Sequence, residues 1–181
     1  MDAIDLTLES AKHKLQALLE RAAQGDAQAM AGAASMLVKG EGGEPEHGRA
    51  FKLYLQAAQA GVVVAQLNLG CMYMSGHGVE RDYASARRWL TEAATGGDAD
   101  AQFTLANFCE RGLDGKVDLE AARHWYTLAA GNGSGRAQYD LACIYLHGKG
   151  IAADKALAIY WFEQAARSGV ARASTHLKEL S

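Results

Sequence analysis

Five glycines, Gly25, Gly61, Gly97, Gly133 and Gly169, recur every 36 residues, and an alanine follows each of them four positions later, at Ala29, Ala65, Ala101, Ala137 and Ala173. A fixed period of this length leaves few folds open. A short supersecondary unit cannot bury its apolar face alone, so a chain that repeats one must stack each copy on the next. Numbering the period from its glycine, column nine holds Ala33, Leu69, Leu105, Leu141 and Leu177, and column sixteen holds Gly40, Gly76, Gly112 and Gly148. Column twenty-two reads Glu46, Asp82, Asp118 and Asp154, and column twenty-nine reads Leu53, Trp89, Trp125 and Trp161. An alanine pair then precedes each new glycine: Ala57 and Ala58, Ala93 and Ala94, Ala129 and Ala130, Ala165 and Ala166.

Inside each unit the small and apolar residues keep helical spacing. Ala65, Leu69, Gly70, Met72 and Tyr73 share one stripe, and Ala86, Trp89, Leu90, Ala93 and Ala94 share another, so each unit is read as two helices. Gly76 suits the left-handed residue that ends the first helix, and Asp82 suits the cap that accepts bonds from the amides opening the second. Small residues on the facing columns let the two helices approach, and the tryptophan column is expected to fill the joint between units.

Both ends carry half of the pattern. Residues 5–24 read as a lone second helix, whose Leu18-Leu19-Glu20-Arg21-Ala22-Ala23 matches the segment Trp89 to Ala94 with one residue fewer before the next glycine. Residues 169–181 supply only a first helix, with Ala173 and Leu177 in register. The expected architecture is therefore all-α, about ten helices without strands, in one domain: repeats at 25–60, 61–96, 97–132 and 133–168 between two half-repeat caps.

Composition sets the class of partner. With 49% hydrophobic residues, 22% charged residues and one proline in 181, the chain can bury a continuous core. A net charge of −3 without a basic stripe gives no general attraction to nucleic acid, and no stretch approaches the ~20 apolar residues of a membrane span. The start of the chain is acidic and lacks a secretory pattern, so a cytoplasmic location is expected. Cys71 and Cys143 share a column two units apart, about 20 Å at roughly 10 Å per layer of helices, and Cys109 lies two columns later, so no disulfide is expected. Unpaired thiols fit a reducing compartment.

The run from Ala65 through Leu69, Gly70, Tyr73, Gly76, Gly78, Val79, Asp82, Ala86, Trp89, Ala93 and Ala94 to Gly97 resembles the Sel-one-like repeat, a relative of the tetratricopeptide repeat with a longer turn between its helices. Ala137, Leu141, Ala142, Tyr145, Gly148, Gly150, Ile151 and Asp154 carry the same pattern. The first unit departs from it at Gly43, Pro45 and Leu53, and the third at Cys109 and Asp114. The resemblance implies a right-handed superhelical scaffold that binds proteins or peptides and uses no cofactor. Cysteine-rich secreted relatives imply cell-wall-like ligands, but their cysteine pattern is missing here.

If the first helices line a hollow face, as in related tetratricopeptide arrays, columns four, seven, eleven, fourteen and fifteen are free of the core. Leu67, Phe103 and Tyr139 then form a row with Met74 and Leu146 beside it, flanked by Asp100, Asn107, Glu110, Arg111, Arg136 and His147. An apolar strip with a polar rim and aromatic anchors marks a partner-binding surface. The row Gln66, Gln102 and Gln138 is assigned to bonds between units or to turn carbonyls.

Catalytic patterns are missing: no Ser-x-x-Lys, His-Glu-x-x-His or Cys-x-x-Cys occurs, and the cluster Gly131 to Gly135 follows a helix and lacks the lysine of a phosphate loop. The sequence thus reads as a non-enzymatic adaptor for a protein or peptide. The alternatives are a binder of cell-wall fragments or β-lactam-like molecules and an immunity-type protein that neutralises a toxin.

Overall fold

The computed structural model describes the backbone of residues 3–180 and the side chains of residues 7–180; Met1, Asp2 and Ser181, the last residue of the expected C-terminal cap, lie outside it. Among the described residues the chain forms ten helices and no strand. They are α1 (Ala3–Ala23), α2 (Ala27–Lys39), α3 (His47–Gln59), α4 (Val63–Ser75), α5 (Tyr83–Thr95), α6 (Ala99–Arg111), α7 (Leu119–Gly131), α8 (Gly135–His147), α9 (Lys155–Arg167) and α10 (Ala171–Leu180). Cα packing divides the chain into two compact units between Glu92 and Ala93.

The glycines that set the period end the second helices. Their φ angles are +90° at Gly25, +85° at Gly61, +87° at Gly97, +86° at Gly133 and +84° at Gly169, a region that excludes most side chains. Each glycine amide bonds back to the carbonyl of the preceding column thirty-four, as Gly61 does to Ala58 and Gly133 to Ala130. Gly25 makes the same bond to Ala22 at 3.0 Å, and Asp26 N–H bonds to Arg21 as Val62 does to Ala57. The N-terminal helix is thus in unbroken register with the repeats, and the one-residue offset expected from its sequence is corrected. Leu18 stands in the column of Leu90, and Arg21 stands where other units carry alanine.

The turn inside each unit is equally regular. Gly40, Gly76, Gly112 and Gly148 take left-handed conformations after the first helix. The amide opening each second helix then returns to the carbonyl of column thirteen: Glu46 to Leu37, Asp82 to Tyr73, Asp118 to Cys109 and Asp154 to Tyr145, at 2.8–3.0 Å. Asp82 caps α5 through Ala84 and Ser85, while Asp118 and Asp154 cap α7 and α9. Gly131 to Gly135 is the junction of α7 and α8.

Apolar stripes pack within each unit. In the first unit, Leu69, Tyr54, Ala65 and Met72 pack with Trp89, Phe51 and Tyr73. A Cβ on Gly70 would meet Leu90 Cγ at 2.8 Å, so this glycine sets the close approach of α4 and α5. In the second, Phe162, Ala142, Ala158, Ala165 and Ala173 pack with Tyr139, Leu146, Trp161 and Leu177.

The tryptophans do not hold the deepest place. Trp89 is 8% exposed and Trp125 and Trp161 are half-buried, whereas the next column, Tyr54, Leu90, Tyr126 and Phe162, is at most 3% exposed. One residue turns a side chain by ~100°, and that rotation carries column thirty into the interior and leaves the tryptophans at its margin. Rings of His124 and Tyr160 and the Arg88 guanidinium lie against their three indoles.

Candidate partner-binding cleft

The first helices expose the face assigned to them. Column four (Gln28, Val64, Asp100, Arg136, Arg172) and column fifteen (Lys39, Ser75, Arg111, His147) are exposed, with the half-buried Leu67, Phe103, Tyr139, Asn107, Met74, Glu110 and Leu146 between them. The apolar strip is half-buried instead of fully open to solvent. In the second unit the Arg136 guanidinium lies 4.6 Å over the Phe103 ring and pairs with Asp100 at 3.2 Å. Tyr139 is edge-on to Phe162 at 5.6 Å, and its hydroxyl meets His176 Nε2 at 3.0 Å. Each aromatic residue of the row is covered by side chains one repeat further on, which a periodic array supplies at every step. Leu146 joins the C-terminal core. Leu67 and Met74 lie on α4 in the first unit, and Arg111 ends α6 in the second.

The structure gathers the polar part of the row into a cleft. A cavity of about 320 Å³ is lined by Asn107 and Glu110 from α6, Asp140, Cys143, Ile144 and His147 from α8, and Lys149 from the following turn. Glu110 is held from two sides: the Tyr126 hydroxyl donates to Oε2 at 2.7 Å, and Lys149 Nζ bonds to Oε1 at 2.6 Å. Asp140 lies beside them, and burial, followed by the charge of Glu110, pushes its pKa up to about 6, against the pull of Arg136 and Lys149. Asp140, Tyr126 and Lys149 are the residues that sequence reasoning missed. Asp140 had a legible signal, being the one carboxylate in a column otherwise filled by Gly32, Asn68, Thr104 and His176.

The first unit carries the same cleft with other walls. Val38, Tyr54, Asn68, Cys71, Met72, Ser75 and His77, with His47, line a cavity of about 130 Å³. Shifted by 72 residues, Cys71 becomes Cys143 and Met72 becomes Ile144 in the lining, and Tyr54 becomes Tyr126, which lies behind the second cleft and bonds to Glu110. The walls change: Val38 becomes Glu110, Asn68 becomes Asp140, Ser75 becomes His147 and His77 becomes Lys149. The repeat builds the cleft, and its variable columns decide the chemistry.

Beside the cleft, the glutamine row is structural, as expected. Gln66, Gln102 and Gln138 donate to the carbonyls of Ala58, Ala94 and Ala130 at 3.1–3.3 Å. Gln102 also accepts from Asn132, and Gln138 from Ser168.

Cys143, His147 and Asp140 share this cleft, a trio that elsewhere serves nucleophilic chemistry. Here burial pushes the Cys143 thiol up, away from the thiolate that such chemistry needs. Cys71 is pushed up in the same way, and Cys71, Cys109 and Cys143 form no disulfide among the described residues. Among the described residues no group of three or more His, Cys, Asp or Glu side chains is placed to hold a metal ion, and no helix is long and apolar enough to cross a membrane.

Ten helices in stacked pairs, with a regular frame and variable residues along the first-helix face, define an α-helical repeat protein of the tetratricopeptide type. The model of the Sel1 repeat matches residues 25–62, 63–98, 99–134 and 135–170, and the chain belongs to that family, whose members are typically protein-interaction scaffolds. It is similar to a Sel1 repeat protein from Oxalobacter formigenes, with 31% identity and a TM-score of 0.84 over 95% of this chain and 71% of that one. It is also similar to a protective antigen of uropathogenic Escherichia coli with an SLR fold, with 32% identity and a TM-score of 0.83 over 90% of this chain. This chain spans about a third of the antigen's length (35%). An immunity protein from Pseudomonas aeruginosa shares the fold alone, at 16% identity and a TM-score of 0.51 over 87% of this chain and 74% of that one. Comparison with curated proteins finds no match.

Proposed function

We propose that this chain is a non-catalytic adaptor that holds a partner protein or peptide along the first-helix face of residues 97–168. The observation that carries the reading is the cleft between α6 and α8, where a half-buried carboxylate is held by Tyr126 and Lys149 in a column that the other repeats fill with Val38, Met74 and Leu146. A fold that closes this position with apolar side chains elsewhere gains no packing from a glutamate, so the departure is assigned to recognition. Phe103 and Tyr139 flank the cleft as half-exposed aromatic surface, and Asp100, Arg136 and His147 supply a polar rim. Raised thiol pKa values support binding over nucleophilic catalysis. Cysteines that stand outside any disulfide among the described residues support a reducing, cytoplasmic setting.

The test is capture of partner by the chain and by a triple variant, Phe103→Ala, Tyr139→Ala and Glu110→Lys, with helicity checked by circular dichroism. The variant is expected to keep its helices and lose the partner. Unchanged capture by a helical variant would remove this face from the interaction.

A further inference from the structure

Resting on the adaptor reading, we propose that the cleft between α6 and α8 receives a basic side chain of the partner, a lysine or arginine whose cationic head takes the place at Glu110 now held by Lys149. Four observations converge. First, the cleft already holds a primary ammonium, since Lys149 Nζ lies 2.6 Å from Glu110 Oε1 with half of its side chain in solvent. An exposed intramolecular lysine on a mostly buried carboxylate is a weak competitor, because a pair of this kind contributes little net stability and its flexible stem is free to swing away.

Second, the receptor is oriented in advance. The Tyr126 hydroxyl fixes Oε2, so Oε1 faces the cavity without reorganisation when a cation arrives. Third, Asp140 lines the same cavity of about 320 Å³, and its carboxylate has no hydrogen bond or ion pair among the described residues, which leaves a second carboxylate to share the incoming charge. A cavity of that size accommodates an aliphatic stem as well as its head.

Fourth, the chain contains its own control. The cleft 72 residues earlier has a cysteine at the same place, Cys71 for Cys143, but Val38 and Asn68 where this one has Glu110 and Asp140. Both carboxylates stand on a shared repeat frame, on opposite helices, lining one cavity. Two like charges so close raise the energy of the empty cleft, and a cation relieves it.

The probe is the peptide acetyl-Ala-Lys-Ala-amide, titrated into the full chain at pH 7.5 and followed by backbone amide NMR. Its Nε-acetylated counterpart and spermidine serve as separate arms. The lysine peptide should shift amides of 107–110 and 140–149 with millimolar affinity, and the acetylated peptide should leave them in place. Lys149→Ala, which removes the competitor, should tighten binding severalfold, and Asp140→Asn should weaken it about fivefold or more with an otherwise native spectrum.

Equal shifts from the acetylated peptide, no shift at these amides, or no change on Lys149→Ala would each overturn the proposal. Tighter binding of spermidine than of the lysine peptide would assign the cleft to free polyamines and overturn the peptide source. These arms need no partner protein. Lysine binding alongside partner capture that ignores Phe103, Tyr139 and Glu110 would refute the adaptor reading and leave this site standing.

Discussion

Tyr126 donates its hydroxyl proton to Glu110 at 2.7 Å across a separation of 16 residues, joining a fully buried ring to the half-buried carboxylate of the first-helix face. The phenol ring is fully buried, and burial together with the neighbouring carboxylate holds its proton far more firmly than usual. Phe103 lies against the same ring at 5.9 Å, so one interior residue supports both the aromatic and the acidic part of the face.

Tyr126→Phe should therefore act on Glu110 more than on the core. The ring volume is kept, and the lost hydrogen bond to an ionised group is worth about 1.5–3 kcal/mol. Urea denaturation should show a lower midpoint with an unchanged slope. Binding of the partner or of the lysine peptide should weaken as Glu110 loses its fixed orientation.

Asp140→Asn should stabilise the protein at neutral pH. The folded state keeps the Asp140 proton up to about pH 6, whereas the unfolded chain releases it near the ordinary value of 3.8. Between those values the folded state binds more protons, so its stability falls as pH rises through the window. The groups acting on Asp140 are Glu110 from α6, which raises its pKa, and Arg136 and Lys149, which lower it. The asparagine variant should melt about 2–4 °C higher at pH 7.5. Below about pH 4 the two melting curves should coincide, and a gain that persists there would refute this account of Asp140.

Phe162→Ala and Trp161→Ala rank the two neighbouring columns. Phe162 is fully buried, and its truncation should cost about 3–5 kcal/mol. Trp161, larger but half-buried at the margin, should cost less despite losing more atoms. Paired chemical denaturation curves decide the order, and a costlier tryptophan would return the joint to column twenty-nine.

Two glycine-to-alanine changes separate space from conformation. Gly70→Ala places a methyl 2.8 Å from Leu90 Cγ and should cost about 1–3 kcal/mol by overpacking, even though alanine favours a helix. Gly97→Ala meets no atom within 4 Å, yet its φ of +87° excludes a Cβ, and about 1–2 kcal/mol is expected from backbone strain alone. In a Leu90→Ala background, Gly70→Ala should cost less than it does beside Leu90, since the clash is gone. No second-site truncation should lower the cost of Gly97→Ala.

Salt offers a further measurement. Arg136 and Asp100 are each about two-thirds exposed, so Asp100→Asn should change stability by less than about 1 kcal/mol. Its effect should appear instead in the salt dependence of partner association, since Arg136 then stays over Phe103 without its Asp100 partner.

The sequence by itself determined the frame. A 36-residue period fixed where helices end, because glycine readily takes the left-handed conformations at columns one and sixteen. The glutamine bonds followed from the same register, since a polar column bordering buried ones must find carbonyls.

What only the tertiary structure decided lies at the level of single rotations and cross-repeat reach. Trp89, Trp125 and Trp161 and their neighbours Leu90, Tyr126 and Phe162 differ by one helical step, too small for a period to rank, and packing sent the second set inward. The meeting of Glu110 with Tyr126, Asp140 and Lys149 depends on side chains from three elements converging on one cavity, and no column read along the chain contains that distance. Periodicity constrains the backbone, because every unit must satisfy the same hydrogen bonds. The cleft is set where units differ, and its chemistry emerges only when those differences are brought within ångströms of each other.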